Sequence, residues 1–285
     1  MNKLGLVLEG GGLRAAYTAG VLHWFKDNHV HVDFVVGVSS GALLATLFVA
    51  DEREALSLLA VDYAARKENV GWSPLLREFA PVGYHYIFKD TIQKALKLDM
   101  DKVINAAIPL EVGVYDLFEQ KTLWLTNKQL DKQWKFVHAA CVLPIAGRAV
   151  KIGKKRYLDA GLTSMIAIDR SLANGCNRHI VITTKDKDFV RKQNSKLLQF
   201  VLDTLYWRFP IMKKQFRVRT GIYYEEKAKV EALEAKGEAI FLRPSKDLGV
   251  KRFTGQSEQL RALYTLGYQD CEDRRAHILD FIQST

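Results

Sequence analysis

Ser39 stands in Gly37-Val38-Ser39-Ser40-Gly41, a G-x-S-x-G pattern with an apolar run on either side. A serine raised on a sharp strand-to-helix turn suits acyl transfer, because its oxygen is exposed and the helix that follows lends it positive potential. Ser40 lies off the centre of the pattern and is the weaker candidate. Upstream, Glu9-Gly10-Gly11-Gly12-Leu13-Arg14 falls where one apolar run hands over to a helical pattern. The N–H groups of Gly10, Gly11 and Gly12 would converge there on an anion. One reading is a phosphate site, since Gly10, Gly12 and Ala15 satisfy G-x-G-x-x-G/A. The acid that should hold a ribose hydroxyl is missing, because the second strand ends in Val36-Gly37-Val38-Ser39. The other reading is an oxyanion hole, whose donors contribute about 3–4 kcal/mol each to an acyl-transfer transition state.

The serine needs a base. Of seven histidines, His179 and His277 follow Asp159 and so keep the order Ser, Asp, His of an α/β-hydrolase triad. Such an elbow normally follows several strands, whereas Ser39 follows one strand and one helix. A packed or solvated state suits both histidines better.

Taken together, Gly10-Gly11-Gly12-Leu13-Arg14 after the first strand, Ser39 in its G-x-S-x-G, and the later Asp159-Ala160-Gly161 resemble the patatin-like phospholipases. Ala140-Cys141-Val142-Leu143-Pro144 is similar to the segment that leads into the aspartate turn in that family. The resemblance covers residues 3–163. It implies that Ser39 is the nucleophile and Asp159 its base, a catalytic pair without histidine, with Gly10, Gly11 and Gly12 as the oxyanion hole. Arg14 becomes a candidate substrate-binding residue, close to that loop or to a lipid phosphate. The implied substrate is a phospholipid or lysophospholipid, and neither cofactor nor metal is required. Ala160 replaces a usual glycine, Ala15 follows Arg14 where glycine is common, and Met165-Ile166-Ala167 replaces a proline-containing segment; these departures bear on substrate geometry. A catalytically inactive lipid-binding relative is the non-enzymatic alternative, opposed by retention of all three motifs. A free carboxylate with a pKa of about 4 is a poor base, so Asp159 must act at hydrogen-bonding distance in a partly desolvated site.

These residues must be held by an alternating array. Lys3 to Leu8 reads as a buried strand, Arg14 to Asn28 as a helix, Asp33 to Val38 as a strand and Gly41 to Ala50 as an apolar helix. Further strands are expected at Leu110 to Tyr115, Lys121 to Thr126, Arg156 to Leu158, His179 to Thr184 and Ala239 to Leu242, and helices at Asp131 to Ala140 and Ser257 to Leu279. The order predicts a three-layer α/β/α sandwich with a mainly parallel central sheet, a single domain over residues 1–285. Residues 52–101 read as an irregular cap, and residues 185–230 as a basic helical region.

With 285 residues, 48% of them hydrophobic, the chain can bury one substantial core. The longest apolar stretch, Ala42 to Ala50, is far below the roughly 20 residues of a membrane span. No secretory leader is apparent, and three cysteines without metal-ligand spacing suit a reducing, cytoplasmic setting. The net charge of +10 attracts phosphates of any kind. Lys187, Arg191, Lys192, Lys196, Arg208, Lys213, Lys214, Arg217 and Arg219 interleave with Phe189, Phe200, Tyr206, Trp207, Phe209 and Phe216, as in a segment contacting an anionic membrane surface. A solvated helix face is the plainer reading of the same charges. Nucleic acid is not an expected partner, since no zinc-finger, RNP-like or helix-turn-helix pattern is present.

Overall fold

Leu4–Leu8 forms strand β1, buried on both faces, as an unbroken apolar run in a covered parallel sheet should be. The computed structural model describes residues 2–283. After β1 come helix α1 (Ala15–Asp27), strand β2 (Phe34–Gly37) and helix α2 (Ser40–Val49). The cap follows. Its helical segments include Leu58–Tyr63 and Tyr86–Ala95, which are wound as wide π-type turns rather than α-helix.

The chain then supplies β3 (Leu110–Asp116), β4 (Lys121–Thr126), the helix Lys135–Cys141, β5 (Val150–Ile152) and β6 (Lys155–Asp159). After β7 (Arg178–Ile182) come the helices Lys196–Leu205 and Pro210–Ala235, strand β8 (Ala239–Leu242), and the helices Ser257–Asp273 and Arg275–Gln283. The strands form one eight-stranded sheet in the order β5-β6-β3-β2-β1-β7-β8, with β4 paired to β3. The run β3-β2-β1-β7-β8 is parallel, and β4, β5 and β6 are attached antiparallel.

Side chains alternate across β1. Leu4, Leu6 and Leu8 enter the larger core with α1, α2 and the helix Ser257–Asp273; Val7 enters a second core with Val36, Ile168, Val181 and Tyr223. Helices thus cover both faces, and the architecture is the expected α/β/α sandwich.

Two expectations are refined. Ser257 to Leu279 is not one helix but breaks at Arg274, directly after Glu272 and Asp273. Two carboxylates at a helix C-terminus oppose its dipole and favour an end there. The basic region resolves into two helices, the second opening with Pro210 at its first turn, where the missing N–H costs nothing.

The approach of α1 to Ser257–Asp273 fixes where the glycine loop enters the site. It depends on Gly20 and Gly267. A Cβ at Gly20 would lie 1.9 Å from the Tyr264 carbonyl oxygen, and one at Gly267 would lie 2.2 Å from that of Tyr17. Alanine normally stabilises a helix interior by about 1 kcal/mol over glycine. Here Gly267→Ala is expected to lower the stability to urea by about 1–3 kcal/mol, as overpacking does. An unchanged midpoint would mean that the two helices can separate freely.

Candidate active site

Ser39 occupies the corner between β2 and α2 with φ 57° and ψ −131°, a backbone conformation that only glycine adopts without strain. The flanking glycines leave no room for the corner to relax. A Cβ at Gly37 would lie 2.5 Å from the Gly41 carbonyl oxygen, and one at Gly41 would lie 2.5 Å from that of Leu8. The Cys141 thiol donates to the Ser39 carbonyl oxygen at 3.3 Å. Ser39 is half-buried at the head of an α2 whose body is buried.

The register of β3 brings the aspartate to it. Gly37 of β2 faces Val112, and Asp159 at the end of β6 faces Val114, so the end of β6 lies alongside the chain as it leaves β2. Asp159 is buried; one oxygen accepts the Gly161 N–H at 2.6 Å, while Oδ2 is buried without a well-formed hydrogen bond. Burial raises the Asp159 pKa, opposed by the adjacent Ser39 hydroxyl and then by the Gly161 N–H. Ser39 and Asp159 are therefore neighbours, with no hydrogen bond of good geometry between them.

The turn after Asp159 is clamped by the helix Pro210–Ala235. Arg219 Nε donates to the Gly161 carbonyl oxygen at 2.7 Å. Glu226 accepts from the Ser164 hydroxyl and from the N–H groups of Met165 and Ile166 at 2.6–2.9 Å. Burial pushes Glu226 up to about 7. Neither residue was singled out from the sequence as touching this turn, because no local pattern links positions so far apart along the chain.

The glycine loop abuts the elbow. Gly10 is packed so closely that a Cβ there would lie 2.5 Å from the Ser39 Cβ. Gly12 has φ +60° and would collide with Arg252. The N–H groups of Gly11 and Gly12 both donate to Ser40 Oγ, at 2.9 and 3.1 Å. The off-centre serine thus occupies two of the three expected oxyanion donors, and a substrate oxygen would have to displace it. Behind the loop, buried Glu9 accepts from Lys185, the Thr183 hydroxyl and the Thr184 N–H. Burial lowers the Lys185 pKa, and Glu9 opposes the shift.

Two cavities meet at Ser39. One, of about 870 Å³ including its open mouth, is walled by apolar groups such as Leu44, Leu59, Val82, Ile87 and Phe88 from α2 and the cap. The other, of about 330 Å³ including its open mouth, is lined by Asp159, the glycine loop, Lys185, Arg191, Arg219 and Arg252. Arg14 lines neither; its guanidinium lies over the Phe189 ring, 5.4 Å from the centroid.

No histidine lines either cavity. His179 is buried in β7 with Nδ1 hydrogen-bonded to Ser171 at 2.9 Å, and its pKa is lowered by burial to about 4. His277 is exposed on the last helix. The Ser-Asp-His alternative therefore has no histidine at the serine. Arg191 and Arg219 also depart from expectation: they turn inward to the cavity, while Lys187, Lys192, Lys196, Arg208, Lys214 and Arg217 of the same segment are exposed.

The family model for patatin-like phospholipases matches residues 6–171, which include the glycine loop, the elbow and the aspartate turn. The chain belongs to the patatin-like phospholipase family. A second family model, a domain of unknown function, matches residues 209–283. Among relatives, the neuropathy target esterase sws of Drosophila sechellia is 46% identical over 50 residues; these are 18% of this chain and 3% of that protein. Among solved structures, VipD from Legionella pneumophila is similar in fold, with a TM-score of 0.52 at 12% identity over 100% of this chain and 67% of VipD. Membership of the patatin-like family supports lipid ester hydrolysis. It also makes the fit of Gly10 against Ser39 a testable constraint. Gly10→Ala is expected to slow labelling of Ser39 by a fluorophosphonate probe about 100-fold in a folded protein, the cost of displacing a reacting atom by about 1 Å. Labelling at the unaltered rate would show that the loop can recede without consequence.

Proposed function

We propose that the protein hydrolyses carboxylic esters of phospholipids or lysophospholipids, with Ser39 as nucleophile and Asp159 as its base. The observation that carries this reading is the strained Ser39 corner beside a buried carboxylate with an unpaired oxygen, under a loop of inward N–H groups. Ser39 Oγ attacks the ester carbonyl as Asp159 takes its proton. The N–H groups of Gly10, Gly11 and Gly12 hold the oxyanion after Ser40 withdraws, and Asp159 returns the proton to the leaving alcohol. Water then attacks the acyl-enzyme with Asp159 again as base. The chemistry needs no cofactor and no metal. The apolar cavity suits the acyl chain, being walled by aliphatic and aromatic side chains of α2 and the cap.

The reading extends to where the substrate is met. Leu197, Phe200, Val201 and Leu205 make an exposed apolar stripe along the helix Lys196–Leu205, and Trp72, Leu76 and Phe79 project from the cap. Exposed cations Lys192, Lys196 and Arg208 flank the stripe. Tyr206, just past this helix, donates to the Pro144 carbonyl oxygen at 2.5 Å, next to Leu143, which lines both cavities. This arrangement supports peripheral docking on an anionic lipid surface. Among the described residues, no helix is long and apolar enough to cross a membrane. We take residues 1–285 as one catalytic unit, since Arg219 and Glu226 clamp the turn that carries Asp159.

Single-turnover hydrolysis of a nitrophenyl ester and a lysophospholipid tests the chemistry. Ser39→Ala and Asp159→Asn are each expected to lose about 1,000-fold or more while their circular dichroism is unchanged. Full activity in either folded variant would remove that residue from the mechanism; inactivity of the wild type on both esters would point to lipid binding instead.

The pH profile tests the base separately. Asp159 must be ionised to accept the proton, and its folded pKa is raised, so activity is present above that value and lost as pH falls through it. The acid limb of kcat/KM is expected above the value of about 4 shown by a free carboxylate. A limb at or below that value would mean that Asp159 is not the titrating base.

A further inference from the structure

The smaller cavity has a composition that ester hydrolysis does not require. Arg191, Arg219 and Arg252 line it together with Lys185, and all four lie beyond residues 6–171. Lys185 is neutralised by its ion pair with Glu9. Among the described residues, no carboxylate lies within ion-pairing distance of Arg191, Arg219 or Arg252. Arg219 gives only its Nε to the Gly161 carbonyl oxygen. The Arg191 Nε is buried without a hydrogen bond. Their proximity disfavours charge on two of them: Arg219 is lowered by burial and then by Arg191 and Arg252, and Arg191 by burial and then by Arg252. Asp159 and Glu9 offset this in part, but Asp159 is the proposed base and Glu9 is already paired.

Guanidinium groups drawn half out of water into a cavity without carboxylate partners are costly unless an anion joins them. Their planar forks match the oxygens of a phosphate. The location is equally specific, because Ser39 lies where this chamber meets the apolar cavity, and Arg252 lines both. An ester with its carbonyl at Ser39 would have its hydrocarbon on one side and these arginines on the other.

We propose that Arg191, Arg219 and Arg252 form a phosphate-binding subsite that selects acyl esters with an anionic headgroup lacking a cationic substituent, as in lysophosphatidate. The inference rests on Ser39 as the site of ester attack and specifies the substrate class of that site. Discrimination against choline-type headgroups follows from the aromatic residues nearby. Phe189 and Tyr223, the rings against the arginine cluster, already carry cations: Arg14 and Lys185 lie over the first, and Lys185 and Arg191 over the second, at 5.4–5.8 Å. A headgroup cation would enter a chamber already in excess of positive charge.

The test compares kcat/KM for lysophosphatidate, lysophosphatidylcholine and monoacylglycerol of one acyl chain, below their critical micelle concentrations. The wild type should favour lysophosphatidate at least tenfold over both others. That ratio should fall toward one in Arg191→Gln and Arg252→Gln and persist in Lys128→Gln, an exposed cation outside both cavities. A wild-type ratio near one, or a ratio that survives both arginine substitutions, overturns the proposal. Binding separates it from the hydrolytic reading. Calorimetric titration with a non-hydrolysable ether analogue of lysophosphatidate should give at least tenfold tighter binding to the wild type than to Arg191→Gln. That result in a protein that cleaves no ester would keep the subsite and discard the hydrolase, whereas equal binding to both proteins overturns the subsite. Inorganic phosphate should compete weakly with the ether lipid. If phosphate binds as tightly as the lipid analogue, the site serves the free ion and the headgroup assignment falls.

Discussion

The Ser39 backbone is held in a conformation that costs a residue with a side chain about 1–3 kcal/mol, and it persists only because its surroundings permit nothing else. The Gly41 Cα is pressed against the carbonyl of Leu8 at the end of β1, and Gly37 against the first turn of α2. Any relaxation of the serine would push α2 away from the sheet, and α2 is buried along almost its whole length. Strain at one residue is thus offset by the packing of a helix. The hydroxyl gains a fixed direction, toward the gap where the Gly10 loop and the end of β6 come together.

That gap exists because β3 is shared. Its first residues pair with β2 in parallel and its last residues with β6 antiparallel, so the end of β6 arrives beside the start of the elbow. A continuous parallel sheet would have placed a crossover helix between them. The antiparallel return brings a carboxylate from far along the chain to the side of the serine. The turn that carries it is then fixed by the helix Pro210–Ala235, through a guanidinium on Gly161 and a carboxylate on Met165 and Ile166. The part of the chain beyond the patatin-like segment is therefore packed into the site's architecture, not appended to it.

What could be read from the sequence follows this division. The glycine loop, the elbow and the aspartate turn are local: each needs a particular residue type at a fixed spacing, and the apolar runs around them announce strand or helix. The order of β1, α1, β2 and α2 was legible for the same reason. Ser40, Arg219, Glu226 and Arg252 act through contacts with residues far away in sequence, and such contacts leave no spacing to detect. Arg191 and Arg219 look like members of an exposed basic segment, because a charge pattern records the residue type and not the direction of the side chain. The break at Arg274 was similarly hidden, since apolar periodicity resumes on the far side of it, with Ile278 and Phe281 buried.

Glu9 places a carboxylate directly behind the glycine loop, where it should weaken the pull of the loop's N–H groups on an anion. Its charge would oppose the one that develops on a substrate oxygen at the loop's N–H groups. Lys185, reaching across from the end of β7, cancels that charge, and Thr183 and Thr184 engage the same carboxylate. A buried pair of this kind adds little net stability, but removing either member leaves an uncompensated charge, at a cost of about 3–5 kcal/mol. Its contribution is therefore positional. It ties the end of β1 to the end of β7, holds Gly10 between Ser39 and Lys185, and leaves the field at the loop to the N–H groups and the arginines in front of it.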